Sequence, residues 1–360
     1  MTLGRKALRI ASKTLLIIIG LFLVLFTSIW LILKVPSVQN YLVTKATTYV
    51  SKKTHTRVVL KYIDLEFPKS ILLQGIFLED TNKDTLASIQ EIKVDLNMLA
   101  LLSNTISIET FELNNFNIRL IRNDRDSTFN YQFLIDAFTS PKSNEVIVDT
   151  SSTSPWTIKA NSISLIQGHF NMQDAVSGLN IDARIGNVSA ALNLLDLQNS
   201  IVKLGDIHIS DVHGNILSTK LASVDTSSSK GWNGIQVSEI IIDKSSFNYK
   251  DATSNMFLDL SIQDFKLNET FIDLFEQKII SKGIALSNST FKINIPPSDT
   301  TSVAKKDTLN KEWDIQLANL NLKENNFKLD MLQTPHISKG IDWNHLALTQ
   351  LNASVNHISY

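Results

Sequence analysis

Hydrophobic positions along the chain fall into three patterns in order. Residues 14–33, TLLIIIGLFLVLFTSIWLIL, form an unbroken apolar run between Lys13 and Lys34. At ~1.5 Å rise per residue it spans roughly 30 Å, the hydrocarbon thickness of a bilayer, and predicts one transmembrane helix. Leu15, Leu21, Phe22, Phe26, Trp30 and Leu33 are its membrane-facing candidates. Next, PSVQNYLVTKATTYVSKKT reads as a shorter amphipathic helix over 37–53, with Ser37 as N-cap. Val38, Tyr41, Leu42, Ala46, Tyr49 and Val50 share its apolar face. It either caps a sheet or lies on the membrane surface through Lys45, Lys52 and Lys53. From about Thr56 the period drops to two. Ile63–Phe67, Ile92–Leu96 and Phe116–Leu120 each alternate apolar with polar or charged residues, so each has one dry and one wet face. Helical spacing returns only at 97–102 and 129–138.

Within the strand-like part, five segments share one shape: FELNNFNI (111–118), LIQGHFNM (165–172), IDKSSFNY (242–249), LSNSTFKI (286–293) and LKENNFKL (322–329). A bulky apolar residue is followed by four mostly polar or small ones, then Phe, then Asn or Lys, then another bulky residue. Leu113 is the one apolar intruder. The expected geometry is strand, tight polar turn, strand, with Phe restarting the dry face. The Phe positions, 116, 170, 247, 291 and 327, are irregularly spaced, which excludes a solenoid of equal rungs and favours a long sheet with insertions. Three polar stretches read as those insertions, at 139–155, 225–231 and 296–311.

The expected fold is therefore mainly β: an elongated, repeat-built sheet behind a transmembrane helix and a short amphipathic helix. The chain divides into a basic tip and anchor (1–34), the second helix (35–54), a first β unit (55–138), a polar loop (139–156), the repeated β region (157–296), a second polar loop (297–312) and a further β unit (313–360). The alternating pattern still runs at ASVNHISY, so we expect these residues to be the N-terminal part of something longer.

Charge orients the anchor. Arg5, Lys6, Arg9 and Lys13 precede the span with no acidic residue among them, and the positive-inside rule places the N-terminus in the cytoplasm. A cleaved signal peptide would have a shorter apolar core and a small-x-small site, which ILKVPSVQ lacks. The net charge of −1, with 34 basic and 35 acidic residues, provides no field for nucleic acid. Absence of cysteine excludes a disulfide framework, a thiolate metal site and a catalytic thiol.

Candidate chemistry is sparse. No GxSxG, HExxH, P-loop or GxGxxG is present, so no enzyme, cofactor or metal site is expected. Asp80, Asn82, Asp84 and Glu91 match four positions of an EF-hand loop, but Thr85 replaces the required Gly, and a polar turn between strands is the better reading. Asp124 and Asp126, interleaved with Arg122 and Arg125, read as a solvated loop. His208 and His213 are five apart, which in a regular strand puts them on opposite faces.

An ordered set of segments carries a resemblance. A basic N-terminus and one membrane helix precede VPSVQNYLVTKATTYVSKKTHTRV, then LEFPKSILLQGIFLEDTNKDTL, VDLNMLALLSNTISIETFELNN and DSTFNYQFLIDAF. Over roughly residues 5–140 this resembles the N-terminal region of TamB and AsmA-like proteins of the Bacteroidota type; beyond that, only the Phe pattern supports it. The resemblance implies an inner-membrane protein crossing the periplasm as a taco-like sheet whose apolar groove carries phospholipid toward the outer membrane. Phe116, Ile118, Phe170, Met172, Phe247, Tyr249, Phe291, Ile293, Phe327 and Leu329 would line it. It also implies an outer-membrane barrel partner, met through a C-terminal domain that these residues do not include. Alternation alone leaves a second reading open: a scaffold or chaperone for outer-membrane assembly, with those Phe residues in a closed core.

Overall fold

The computed structural model describes residues 3–66, 69–125, 127–138, 157–196, 201–220, 234–273, 276–296 and 313–360. Helix α1 (Leu3–Leu33) contains the apolar span, and α2 (Pro36–Thr54) follows almost at once. The break falls at Val35, which is extended (φ −71, ψ 123) because the residue before a proline is barred from the helical region. Val35, not Ser37, is the N-cap of α2, with Pro36 in the first turn. Gln39, Leu42, Val43, Ala46, Val50 and Thr54 face inward, while Tyr41 and Tyr49 of the expected apolar face point to solvent. This helix caps the first edge of the sheet.

The strands are β1 (Val58–Val59), β2 (Tyr62–Glu66), β3 (Ser70–Glu79), β4 (Thr85–Leu96), β5 (Thr105–Arg122), β6 (Thr157–Ala160), β7 (Ser162–Asp174), β8 (Leu179–Asp196), β9 (Ile201–Ser218), β10 (Gly234–Asp251), β11 (Met256–Asp273), β12 (Lys278–Ser287), β13 (Thr290–Ile295), β14 (Asp314–Met331) and β15 (His345–Ser359). All belong to one 15-stranded sheet. The 3₁₀ turn Met98–Ser103 and α3 (Gln132–Phe138) supply the two helical interruptions expected at 97–102 and 129–138.

Pairing follows a rule. Strands β3–β4–β5, β7–β8–β9 and β10–β11–β12/β13 are antiparallel meanders, and β14–β15 begins another. Each joins the next by a parallel step, β5 to β7, β9 to β10, and β12/β13 to β14. A parallel step needs a crossover, and the three polar stretches read from the sequence fall in these three connections. Apart from Pro296, those stretches lie outside the described residues, as does Asp126.

The five Phe segments are not strand–turn–strand units. Four lie within single strands, in β5, β7, β10 and β14; the fifth spans the break between β12 and β13, which share both neighbours. Their polar residues mark a bend inside the strand. Asn115, Gln167, Asp211, Lys244, Asn288 and Glu324 all have φ between 46° and 55°, and Gly75 has φ 65°. The register aligns these positions from strand to strand, so they form one crease crossing the sheet. A second, less regular crease crosses near Asn161, Gly205, Ser238, Glu269 (φ 35°), Lys282 and His357 (φ 59°). Both act as β-bulges: the inward face advances three residues instead of two, as in β10, where Ile235, Val237, Ile240, Ile242, Ser245, Phe247 and Tyr249 point the same way.

Burial shows which way the sheet bends. Ile89, Phe116, Val212, Ser245, Ile262, Ser289 and Asn325, all 7% exposed or less, follow the first crease. Val237, Thr270, Ser281 and Leu317, at 9% or less, follow the second. Between and beyond the creases, inward residues are mostly half-buried. Residues in a concave corner lose most solvent, so the sheet is a three-faceted trough, concave on its apolar side. A closed sandwich would bury whole rows; here burial concentrates at the corners, with Ala87, Leu113 and Leu286 the buried members of the facet rows.

Candidate functional site

The trough floor is built by register. On the facet beyond the first crease, one inward row runs Leu78, Ala87, Ile118, Phe170, Ala183 and Gly214. It continues through Phe247, Leu260, Phe291, Phe327 and Leu348. Beside it lies a wholly apolar row, Leu120, Met172, Ile181 and Ile216, then Tyr249, Leu258, Ile293, Leu329 and Leu346. With neighbouring strands ~4.8 Å apart, its eight steps extend roughly 38 Å. On the middle facet the row Leu73, Ile92, Leu113, Leu165, Val188 and Ile209 continues through Ile242, Phe265, Leu286 and Leu322.

Nine of the ten lining residues expected from the sequence stand in the two outer rows. Phe116 does not. Leu113, the apparent intruder, pairs with Leu165, and Phe116 pairs with Gly168, so the first segment is offset by two from the others. Phe116 is 5% exposed and fills the corner; a Cβ on Gly168 would stand 2.0 Å from its ring. Sequence reasoning missed Ile181, Ala183, Ile216, Leu258 and Leu260. The antiparallel strands β8 and β11 read the motif backwards, and in β9 Gly214 occupies the Phe position beside Phe247.

A bulge removes ladder hydrogen bonds, and short polar side chains in the corner replace them. The Val212 amide donates to Ser245 Oγ (3.1 Å), the Gln263 amide to Ser289 Oγ (3.0 Å) and the Ser289 amide to Asn325 Oδ1 (3.0 Å). Asn325 Nδ2 in turn donates to the Leu286 carbonyl (2.9 Å). The polar positions of the motif are thus corner fittings.

Arg122, Asp174 and Asp251 stand at strand ends on the concave side, and the convex face carries most of the charges. His208 and His213 both lie there, against expectation, because the crease at Asp211 between them shifts the alternation. His208 meets Asp243, and His213 meets Ser246 (2.8 Å) and Asp211 (3.1 Å). Hydrogen bonds from Ser210 and then His208 hold the Asp243 carboxyl below its ordinary range, against the opposing effect of burial. Arg122 closes the β5 end onto the buried Asp174 (Nε to Oδ1, 2.7 Å), and that bond is the first reason the Asp174 carboxyl sits far below the ordinary range. At 80–84 the Asp80 carboxylate accepts from the amides of Asn82 (2.9 Å) and Asp84 (3.0 Å), the polar turn expected there.

The membrane junction is the second component. The span Lys13–Leu33 has no buried share, and Leu15, Leu21, Phe22 and Trp30 are 44–73% exposed. Nothing described in the chain covers it, which suits lipid as its solvent. Thr27 and Ser28 satisfy their hydroxyls on helix carbonyls. Arg5, Lys6 and Arg9 fall in the first turns of α1, and their side chains lie outside the described part; Lys13 borders the span. Just past the helix, Lys34 Nζ bonds Asp64 Oδ2 on β2 (2.6 Å), while Gln39 Nε2 approaches Asp64 Oδ1 (3.5 Å) and the Tyr62 hydroxyl (3.4 Å). The Asp64 hydrogen bond raises the Lys34 pKa.

Among the described residues, one apolar helix clamped to a creased, apolar-floored trough defines a membrane-anchored β-groove protein. The chain belongs to the AsmA family, whose model matches residues 8–356, the helix included. No curated protein matches it significantly. Membership indicates envelope-associated lipid transport or assembly at the level of the family, which is not known for enzymes, and with the uncovered helix it indicates a single-pass inner-membrane anchor.

Proposed function

We propose that this protein moves phospholipid acyl chains along the concave face toward the outer membrane, its N-terminus in the cytoplasm and the trough in the periplasm. The observation that carries the reading is the pair of unbroken apolar rows through Phe170, Phe247, Phe291 and Phe327 and through Met172, Tyr249, Ile293 and Leu329. At roughly 38 Å the second row exceeds the ~15 Å of one leaflet's hydrocarbon. Its half-buried residues offer a face that an acyl chain would finish covering, at ~0.8 kcal/mol per buried CH₂. The polar convex side keeps the same strands soluble.

The test places a photo-crosslinking residue at Phe247 or Phe291 in cells. Phospholipid adducts at both sites are expected. Adducts to unfolded outer-membrane protein, with none to lipid at any Phe site, would replace the conduit by the chaperone-scaffold reading.

A further inference from the structure

The loop between β14 and β15, residues 332–344, gathers side chains that neither the trough nor the anchor uses. His336, Asp342 and His345 each offer a ligand atom, and these atoms lie within 4.8 Å of one another. His336 Nδ1 and Asp342 Oδ2 are 3.4 Å apart. Ligands ~2.0–2.1 Å from a tetrahedral Zn²⁺ stand about 3.4 Å from one another, so that pair already matches one edge of such a site. The imidazoles of His336 and His345 lie against each other, 3.7 Å apart between centroids with 34° between their planes.

His345 has the surroundings of a ligand. Its side chain is 9% exposed, and Nδ1 meets Asp330 Oδ1 at 2.7 Å. A carboxylate on the far nitrogen is the arrangement that fixes the tautomer and ring plane of a metal-bound histidine. Nε2, whose proton now goes to the Thr334 carbonyl, is the nitrogen that would ligate once that proton is displaced. Around Nε2 stand the Thr334 carbonyl (3.0 Å) and the Thr334 hydroxyl (3.0 Å), whose own proton goes to the Met331 carbonyl. Both ring nitrogens face acceptors, and an ion at Nε2 would take the place of its proton.

We propose that His336, Asp342 and His345 bind a first-row transition cation of the zinc type, with Asp330 as the carboxylate behind His345 and water completing the shell. Two imidazoles and one carboxylate form a donor set for Zn²⁺ and unsuited to Ca²⁺ or Mg²⁺, which prefer oxygen ligands alone. The ion would tie the loop to the sheet. The loop carries Ile337, Ile341 and Trp343 at 51–68% exposure, so the ion would fix an apolar projection beside the last strand pair.

The test uses the full chain in detergent with any purification tag removed. Zn²⁺ is titrated by calorimetry, and Co²⁺ is followed by its visible d–d bands. Wild type should bind one ion and give the intense spectrum of a four-coordinate site. His336→Ala, whose side chain is 77% exposed and whose loss should leave folding intact, should weaken binding at least 100-fold, and Asp330→Asn about 10-fold. His208→Ala, on the convex face, should change neither readout. Failure of the wild type to bind, or unchanged affinity in both His336→Ala and Asp342→Asn, would overturn the site. Ca²⁺ competing as well as Zn²⁺ would do the same.

Discussion

At the scale of single residues, the concave corner is where the molecule tolerates least. Phe116 fits only because position 168 has no Cβ. Gly168→Ala should therefore destabilise by about 1–3 kcal/mol through overpacking. Phe116→Ala should cost about 3 kcal/mol by leaving a cavity. The double variant should cost clearly less than the sum, because the two residues share one space. Thermal melts of the three variants measure this coupling; strict additivity would show that the corner is looser than its geometry. The corner serines and Asn325 work differently, through hydrogen bonds that no methyl can supply. This is why buried positions such as Ser289, 0% exposed, are polar in a sheet whose floor is otherwise apolar.

At the scale of a strand, the crease is a counting device. In β10 the left-handed residue Lys244 (φ 46°) lets Ser245, Phe247 and Tyr249 resume the inward face after Ile242. Deleting Lys244 should turn Phe247 and Tyr249 to the convex side, since a one-residue slip inverts the alternation. The milder substitutions separate backbone strain from side-chain effects. Lys244→Gly should raise stability by about 0.5–1 kcal/mol, and Lys244→Val should lower it by at least as much, because a β-branched residue resists positive φ. Chemical-denaturation midpoints check both signs, and a stabilising Val would mean that the bend does not need its left-handed residue. Asn115, Asp211 and Asn288 are of the types that visit this region most readily after Gly, whereas at Gln167, Lys244 and Glu324 the sheet imposes it.

At the scale of the whole molecule, trough and anchor are held as one by Lys34 and Asp64. Val35 is the one extended residue between α1 and α2, its amide donating to the Ile32 carbonyl (3.1 Å) and its carbonyl accepting from the Gln39 amide (3.1 Å). Removing the carboxylate should widen the range of angles between the membrane helix and the sheet without unfolding either. Since the chain has no cysteine, Lys13→Cys with Lys83→Cys gives unique spin-label sites, one at the start of the span and one in the exposed turn between β3 and β4. In lipid nanodiscs the label-to-label distance distribution should broaden in Asp64→Ala; an unchanged width would remove the clamp from the account. The Tyr62 hydroxyl and Gln39 amide reinforce the same junction from α2 and β2.

The sequence by itself determined the span at 14–33, the switch to two-residue alternation after it, the two helical interruptions and four of the five Phe positions that share a row. Each is a local property: length in residues, period, or turn chemistry. The tertiary structure decided what local pattern cannot hold. It showed that the polar half of the motif bends a strand and does not end it, because the register that aligns Asn115, Gln167, Asp211, Lys244, Asn288 and Glu324 exists only between strands. It placed Phe116 in the corner and both His208 and His213 on the convex face for the same reason, since a bulge changes the count. It also recovered the half of the floor written in reverse on the antiparallel strands, which no forward reading of the chain aligns, and it brought His336 to His345 across a loop whose residues are unremarkable in order and adjacent only in space.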